Sequence, residues 1–558
     1  MLPFRRNPDT AFKLFSVTFI VVFYLLYSSF YDPPLKLERT SKPSGPKVQN
    51  ETWQGDTARA DVARLKRVEE AMKHSFHGYR VKAWGYDDIR PVSGRPANSS
   101  YGWGGYILEA APSLAVMGLW EEFALCLDHI VERIDFSRTQ VLVDPAIATK
   151  RYLGSLVSLL ELADTEVVAE GNITAAEREK IMDKAVILAN KLLPAYATTA
   201  GLPFPRVDFL TGDGMPRPAS FDSDMKPRPQ EYSIEPSDAA TILELAGLTR
   251  LSGNTEYYMR AIQAWAPLIW DKFVEPFPGL IAGPFDIFSA EPERLQRHWD
   301  AGHGDFYETL LKAVMFAPKD KLAPTYQRRW LQSAYAVRHN LTSRSLPADN
   351  HLTQHMYLGK WDSEWYLNEM SQEACSAAGV IILGARFMER PDLFPLGQAI
   401  LEGCRYVYTS SSCNLGADRW SWQPMSVSRN GTFGPTTNRS STELNEHSYW
   451  VSDSSYKFQP NYFASLFHAF RVTGEQRYRD WAWDAFNAFD RDCKTPFGYA
   501  GLSDVMEGYA GRANWADDVD GGMVLETLKW LWLIFADTDV MSLDRWIFTT
   551  GGYPLRRG

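Results

Sequence analysis

Cysteine is scarce in this sequence, with five residues in a chain of 558. Because five is an odd number, the cysteines cannot all pair within one chain. In an oxidising compartment at least one is therefore unpaired or joined to another chain. Cys126 lies on the apolar face of a predicted helix, which indicates an inert thiol of the core.

Positive charge is also in short supply. The chain has 58 Lys and Arg against 68 Asp and Glu, which gives a net charge of −10 and a pI of about 5.6. Proteins that bind nucleic acids carry a basic face or stripe. The composition therefore argues against a nucleic-acid partner.

The motifs of several common enzyme classes are missing. The sequence has no P-loop and no G-x-S-x-G elbow, and residues 102–105, GWGG, do not match G-x-G-x-x-G. His351 and His355 have the i, i+4 spacing of zinc ligands, but the glutamate of H-E-x-x-H is absent. We interpret them as a surface or core pair.

One long apolar run is present, near the start of the chain. Residues 14–30 are 17 uncharged, mostly apolar residues that follow a basic flank. That length suffices for a membrane span, and the basic flank should stay in the cytosol. A cleaved signal peptide is the rival interpretation, although no clear A-x-A site follows. We predict a cytosolic tail (1–13), a transmembrane signal anchor (14–30), a lumenal stem (31–60) and a lumenal domain (61–558).

Sequons for N-glycosylation are compatible with a lumenal chain. Six of them occur, at Asn50, Asn98, Asn172, Asn340, Asn430 and Asn438.

From Asp61 onward the hydrophobic pattern predicts helix after helix, including one over residues 369–388. Residues 250–257, RLSGNTEY, recur in outline as residues 471–478, RVTGEQRY. In each copy a helix ends on glycine and the next begins at once, which is typical of an αα-hairpin. Helices that repeatedly double back while burying one face can close into a toroid. Periodicity alone leaves an open solenoid as an alternative.

The end of the sequence has an unusual pattern. Val524, Leu528, Leu531 and Phe535 make one apolar helical face, and Glu526 stands within this run. A lone carboxylate in such a helix needs a partner, a metal ion or a proton. The β-prone residues 546–554 follow and must be inserted into the fold to be stable. We predict that they plug a helical barrel and deliver Thr550 to the bottom of a pocket.

These terminal motifs resemble the C-terminal signature of glycoside hydrolase family 47, the class I α-1,2-mannosidases. The resemblance lies in residues 526–533 (ETLKWLWL), 543–544 (LD), 547–550 (IFTT) and 554–555 (PL). It implies an all-α fold, an (α/α)7 toroidal barrel plugged by a C-terminal β-like segment. It also implies inverting, calcium-dependent trimming of high-mannose N-glycans in the secretory pathway.

The resemblance implies roles for further residues. Thr550 would bind Ca²⁺ through its hydroxyl and carbonyl oxygens, although the glutamate that usually follows is Gly551. Cys375 and Cys404 match the family's disulfide. The partners would be high-mannose N-glycans or glycoproteins, and the anchor would hold the chain in the endoplasmic reticulum or Golgi membrane as a type II protein.

An inverting glycosidase needs one carboxylic acid and one carboxylate base. Residues 304–312, GDFYETLLK, resemble the family's catalytic aspartate motif and make Asp305 a candidate, with an N-cap role as the alternative. In residues 150–154, KRYLG, the family's acid would stand four residues before Arg151, where this chain has Ile147. Asp144 is a candidate substitute if the helix extends that far, although a helix-start aspartate is the simpler interpretation.

Residues 458–467, FQPNYFASLF, resemble the segment with the family's second catalytic glutamate, which is Asn461 here. An amide can hydrogen-bond water but cannot accept its proton. We predict Asp305, Glu526 and Asp144 as catalytic residues and Arg151, Asp520 and Asn461 as substrate-binding residues.

Two hypotheses therefore follow. One is a diverged glycosidase that uses Asp305 with rebuilt partners. The other is a catalytically inactive glycan-binding or quality-control protein of the same fold. Losing one general acid or base typically lowers a rate by about 10²–10⁴-fold, so the family's mechanism cannot operate here unchanged.

Overall fold

The structure is a computed structural model of the chain. It describes residues 45–558 except 138, 140, 166–167, 169–172, 218–230, 271–276, 348–352, 426–433 and 508–512. The predicted tail and anchor, residues 31–44 of the predicted stem, the sequons at Asn172 and Asn430, and His351 lie outside the described residues. None of the helices in the described part is long and apolar enough to cross a membrane.

α-Helices are the main regular structure of the described chain. In chain order they are α1 (Val62–Lys82), α2 (Gly105–Val116), α3 (Trp120–Glu132), α4 (Pro145–Ile147), α5 (Gly154–Ala163), α6 (Ala175–Leu192), α7 (Ile242–Ser252), α8 (Glu256–Ile269), α9 (Gly304–Phe316), α10 (Ala323–Ala336), α11 (Ser376–Phe387), α12 (Phe394–Ser410), α13 (Asn438–His447), α14 (Asn461–Thr473), α15 (Arg477–Asp492) and α16 (Gly521–Phe535).

Seven of the described helices form a closed inner ring. Each helix of the series α2, α5, α7, α9, α11, α14 and α16 packs against the next, and α16 packs against α2. The outer helices α3, α6, α8, α10, α12 and α15 each pack on the inner helix that precedes or follows them, and α1 packs on α16. Inner helices are covered on all sides, which explains why α2 is buried at every position and why α16 is apolar almost all round.

The repeated sequence motif forms two equivalent hairpins. Gly253 ends α7 and Gly474 ends α14, each with φ of +77°. This left-handed conformation is accessible to glycine without a steric penalty. Each glycine therefore allows the chain to reverse from an inner helix into an outer one, as the sequence predicts.

Short antiparallel strands occupy the connections between helices. They are β1 (Asp88–Ile89), β2 (Pro96–Ala97), β3 (Arg206–Val207), β4 (Gly214–Met215), β5 (Ser233–Ile234), β6 (Gly283–Asp286), β7 (Pro292–Arg297), β8 (Thr342–Arg344), β9 (Met356–Leu358), β10 (Lys360–Asp362), β11 (Trp365–Leu367), β12 (Glu369–Ser371), β13 (Arg419–Trp422), β14 (Tyr449–Asp453), β15 (Lys494–Thr495), β16 (Gly498–Tyr499), β17 (Gly501–Leu502), β18 (Trp515–Ala516), β19 (Trp546–Phe548) and β20 (Pro554–Arg556). The larger sheets have the orders β11-β10-β7-β6-β5 and β12-β13-β14.

The helix predicted over residues 369–388 is wrong at its start. Glu369–Ser371 form β12, and Gln372–Cys375 form a 3₁₀ turn before α11 begins. The strand forms because Glu369 to Ser371 pair with Arg419 to Ser421 of β13. Pairing with a distant strand here overrides the local helical pattern.

The C-terminal segment is inserted as predicted. It forms a hairpin in which β19 pairs with β20, and these strands pack on α9 and α5. Ile547, Phe548 and Leu555 are each 2% exposed or less. The Ser158 hydroxyl on α5 donates to the Pro554 carbonyl at 2.9 Å. The hairpin therefore closes one end of the barrel, and its turn carries Thr550.

The arginine that begins each copy of the repeated motif holds this terminal region in place. Arg250 forms a buried ion pair with Glu161 and donates to the carbonyl of Arg556 at 2.9 Å. Arg471 donates to the carbonyls of Leu533 and Val540 at 3.0 Å and also to those of Thr538 and Asp537. The buried Arg471 side chain thus supplies hydrogen-bond donors to the backbone carbonyls at the end of α16 and in the segment before the hairpin.

We expect Arg471→Met to lower the unfolding temperature much more than Arg67→Met. The first change leaves several buried carbonyls without donors, at about 1–3 kcal/mol each. Arg67 makes an ion pair with Asp490 and is half exposed, so its loss should change stability by less than about 1 kcal/mol. Thermal unfolding followed by circular dichroism measures both, and equal shifts would contradict this role of Arg471.

Candidate active site

A cavity of about 430 Å³ lies inside the ring. The N-terminal ends of α9, α14 and α16 and the segments before α5 and α11 form its wall, and the turn of the terminal hairpin contributes to it. The positive ends of helix dipoles stabilise negative side chains. The charged residues of the wall are Glu109, Glu235, Asp238, Asp300, Asp305, Glu373 and Glu526, with Lys150, Arg151 and Lys529.

Asp305 is the second residue of α9 and lines the cavity. Its carboxylate forms an ion pair with the Lys150 ammonium at 2.6 Å, and Lys150 also donates to the Ser237 carbonyl at 2.7 Å. Burial opposes the charged form of Lys150, but the charge and hydrogen bond of Asp305, together with the charges of Asp238 and Glu244, outweigh it and raise the pKa of Lys150. Asp305 thus faces the cavity as one half of an ion pair.

Arg151 joins two carboxylates at the cavity wall. Its guanidinium binds Asp520 through two hydrogen bonds of 2.9 Å and Glu109 through bonds of 2.5 and 2.7 Å. Asp520 also caps α16 by accepting from the Gly522 amide at 2.9 Å. Arg151 and Glu109 are part of the cavity wall, whereas Asp520 is not. Planar bidentate pairing of this kind fixes the orientation of the guanidinium.

Glu526 lines the cavity from α16 and accepts a hydrogen bond from the Trp530 indole at 2.9 Å. The neighbouring Lys529 donates to the Gly552 carbonyl in the turn of the hairpin. Burial lowers the pKa of Lys529 to about 8, although the Glu526 charge opposes this change. The partner that the sequence requires for Glu526 is therefore an indole with an ammonium group beside it.

Thr550 stands at the turn of the hairpin and lines the cavity. Its hydroxyl oxygen is buried and has no hydrogen-bond partner among the described residues. Gly551 lies against the Lys150 backbone, since a Cβ at this position would be 3.1 Å from the Lys150 carbonyl oxygen. Thr550 thus places a buried hydroxyl oxygen, without a partner among the described residues, at the cavity wall.

Ile147 and Asn461 both line the cavity. Ile147 is 42% exposed, and Asn461 begins α14. Neither side chain can give or accept a proton near neutral pH. Proton transfer in this cavity must therefore use other residues.

The structure does not bring Asp144 to the cavity wall. Its carboxylate caps α4 by accepting from the amides of Ala146 and Ile147, and it forms an ion pair with Arg206. A π-helix, Ala148–Leu153, separates α4 from α5, and its wider turns change which residues share a face with Arg151. Asp144 thus acts here as a helix cap.

Glu235 and Glu373 are cavity residues that sequence reasoning missed. Burial raises the pKa of each carboxyl to about 7. Glu235 also caps the 3₁₀ turn Pro236–Ala239. Glu109 was missed too, although its place in an apolar helical run is the signal that identified Glu526. No comparable signal marks Glu373, because its position depends on the pairing of β12 with β13.

A disulfide joins Cys375, in the 3₁₀ turn before α11, to Cys404 on α12. Cys126, Cys413 and Cys493 are buried free thiols, and Cys126 is in the core as predicted. The bridge ties one segment of the cavity wall to the outer layer.

Known proteins are similar to this chain in sequence and architecture. A model of glycosyl hydrolase family 47 matches residues 71–557. Mannosyl-oligosaccharide alpha-1,2-mannosidase of Penicillium citrinum is 27% identical over 515 residues, which cover 89% of this chain and 92% of that relative. Mannosyl-oligosaccharide alpha-1,2-mannosidase 1B of Aspergillus oryzae is 27% identical over 508 residues, which cover 88% and 92%.

Among solved structures, an alpha-1,2-mannosidase from Trichoderma reesei matches with a TM-score of 0.80 at 23% identity. The match covers 90% of this chain and 100% of that one. It confirms the predicted barrel fold, in agreement with the closed ring of seven helix pairs. The chain belongs to glycosyl hydrolase family 47.

Proposed function

We propose that this chain is a mannosidase-type glycoside hydrolase that removes α-linked mannose from high-mannose N-glycans with inversion. The observation that carries the proposal is the barrel cavity, whose wall holds Asp305, Glu526 and Thr550 together. Its volume of about 430 Å³ is in the range of small-molecule sites. The names of the relatives from Penicillium and Aspergillus support mannose-containing oligosaccharides as the substrate class.

In this proposal the charged wall binds sugar hydroxyls. Glu526 and the Glu109–Arg151 pair offer hydrogen-bond acceptors and donors to the sugar, and the Asn461 amide can both donate and accept hydrogen bonds. Asp520 contributes indirectly, because it fixes the Arg151 guanidinium. Asp305 supplies one of the two carboxyl groups that inversion needs.

The family implies a bound calcium ion, and Thr550 fits this requirement. Calcium prefers hydroxyl, carbonyl, carboxylate and water oxygens, and the buried Thr550 hydroxyl lacks a partner in the described chain. No group of three or more acidic, histidine or cysteine side chains is arranged to hold a metal ion among the described residues. We propose that the Thr550 hydroxyl and carbonyl would hold the ion, with water as the remaining ligands.

We also propose a type II membrane protein of the endoplasmic reticulum or Golgi whose domain is in the lumen. The apolar run over residues 14–30 supports the anchor. The Cys375–Cys404 disulfide is typical of an oxidising compartment. The sequons at Asn98 and Asn438 are exposed, as glycosylation requires.

A catalytically inactive glycan-binding protein is the second candidate. Ile147 and Asn461 favour it, because each presents a side chain without a carboxyl group to the cavity. Measuring mannose release and glycan binding in parallel, as described next, separates the two candidates.

We expect the native chain to release mannose from a high-mannose glycan, with β-mannose as the first product seen by NMR. Asp305→Asn should lower turnover by about 10²–10⁴-fold, because it removes a proton-transfer group, and should leave glycan binding measurable by calorimetry. Asp484→Asn is the control, since Asp484 is 59% exposed on α15 and pairs with Arg405 at the surface. Glycan binding without turnover by the native chain would contradict the hydrolase and support the second candidate.

Calcium should raise the unfolding temperature of the native chain, because a ligand that binds only the folded state stabilises it. Thr550→Val should abolish this shift, since it removes the unpartnered hydroxyl. Thr549→Val is the matched control, because the Thr549 hydroxyl instead accepts from the Tyr553 amide at 3.3 Å. A calcium shift of equal size in Thr550→Val, or none in the native chain, would refute the assignment.

A further inference from the structure

Glu373 has an unusual place in the cavity wall. It belongs to the 3₁₀ turn Gln372–Cys375, which connects β12 to α11. The turn is fixed at both ends, because the Gln372 amide donates to the Asp418 carbonyl at 2.9 Å and Cys375 is in the disulfide with Cys404. The Glu373 carboxyl is therefore presented to the cavity from a rigid segment.

The other acidic groups of the wall already have ion-pair or hydrogen-bond partners within the protein. Asp305 pairs with Lys150, Glu109 pairs with Arg151, and Asp300 pairs with Lys360 at 2.6 Å. Glu235 and Asp238 cap each other's backbone at the start of a 3₁₀ turn. Glu526 accepts from the Trp530 indole.

Glu373 forms no ion pair within the described part of the chain. One of its oxygens accepts from the Gln459 amide at 3.2 Å. The side chain is half-buried, and the second oxygen has access to the cavity. A carboxyl with one fixed oxygen and one open oxygen can exchange a proton with a ligand.

Through its hydrogen bond to Gln459, Glu373 also lies next to the segment that carries Asn461. Gln459 stands two residues before Asn461, and Gln459, Pro460, Asn461 and Glu373 all line the cavity. Glu373 therefore brings a carboxyl to the segment in which Asn461 has none.

The charges around Glu373 favour its protonated form. Burial and, to a smaller extent, the charges of Asp300, Asp305 and Asp418 together raise its pKa to about 7, and Arg419 opposes them. The three aspartates pair with Lys360, Lys150 and Lys457 respectively, and Arg419 pairs with Glu369. At pH 7 a substantial fraction of Glu373 therefore carries a proton, whereas Asp305 faces an ammonium group. A carboxyl group that holds a proton can act as the acid, and a carboxylate beside a positive charge can act as the base.

We propose that Glu373 is the general acid of this chain and that Asp305 is the base, an inference that rests on the proposed hydrolase function. Glu373 gives its proton to the glycosidic oxygen as the bond from that oxygen to the anomeric carbon breaks. Asp305 takes a proton from a water molecule, whose oxygen bonds to the anomeric carbon. One water is consumed, and exchange with solvent returns both carboxyl groups to their starting states.

The test compares two substrates that differ in their need for an acid. Methyl α-1,2-mannobioside has an alkoxide leaving group that must be protonated, whereas 2,4-dinitrophenyl α-mannoside releases a stable phenolate. We expect Glu373→Gln to lower kcat/KM on the mannobioside by about 10²–10⁴-fold and on the aryl mannoside by less than tenfold. The fall in native kcat/KM above pH 7 on the mannobioside should be absent from the residual activity of the variant, because the titrating acid is gone.

Glu369→Gln is the matched control, since Glu369 lies four residues earlier on β12, pairs with Lys360 and Arg419, and is not part of the cavity wall. It should keep native activity on both substrates. Glu373→Asp, which keeps the carboxyl, should retain part of the mannobioside activity and guards against misfolding of the amide variant. Circular dichroism checks the fold of each variant.

Equal losses on the two substrates, or no loss on either, would overturn the acid role of Glu373 while leaving the hydrolase intact. A native chain that binds the mannobioside but turns over neither substrate would overturn the hydrolase and the acid role together. Mannobioside-selective loss with the altered pH profile supports the proposal.

Discussion

The insertion of the terminal hairpin is the constraint on which the barrel depends. Seven inner helices arranged in a ring leave an opening along the axis that side chains alone do not fill. Ile547, Phe548 and Leu555 fill one end of it and are almost completely buried there. Such burial contributes roughly 25 cal/mol for each Å² of apolar surface removed from water. The hairpin is thus part of the core rather than an appendage.

The same insertion creates the site. Because the hairpin enters from one end, its turn reaches the cavity and places Thr550 in the same wall as the N-terminal ends of α9, α14 and α16. Arg471 then binds backbone carbonyls before the inserted segment, and Arg250 binds the carbonyl of Arg556 at the end of β20. The floor of the cavity and the stability of the barrel therefore come from the same interactions.

Close packing around Arg151 shows how tightly the wall is constrained. A Cβ at position 522 would lie 1.7 Å from a Glu109 carboxylate oxygen and 2.7 Å from an Arg151 nitrogen. Glycine at this position therefore permits the Glu109–Arg151 pair to form beside α16. The Glu109–Arg151 pair fills the space that a side chain at position 522 would need. A residue larger than glycine there would therefore displace the pair.

The helical hairpins and the inserted tail could be predicted from the sequence because their signals are local. Gly253 and Gly474 mark chain reversals, and the apolar run around Glu526 marks an inner helix. The position of Glu373 could not, because it depends on the pairing of β12 with β13, which lies about 50 residues further along the chain. Lys150 was visible only as part of a motif, since its ion pair with Asp305 joins the π-helix Ala148–Leu153 to α9, two elements that are distant in the sequence.

The position of the plug along the chain affects how this protein is made. Every helix of the ring precedes β19 and β20 in the sequence, so a ribosome synthesises the inner walls before the segment that closes them. During that interval the axial faces of α5 and α9 have no covering strand, and their apolar side chains are open to chaperones or to neighbouring nascent chains. A stop codon shortly before Trp546 would therefore remove the segment that closes the ring, although the chain would still contain the sequence of every ring helix.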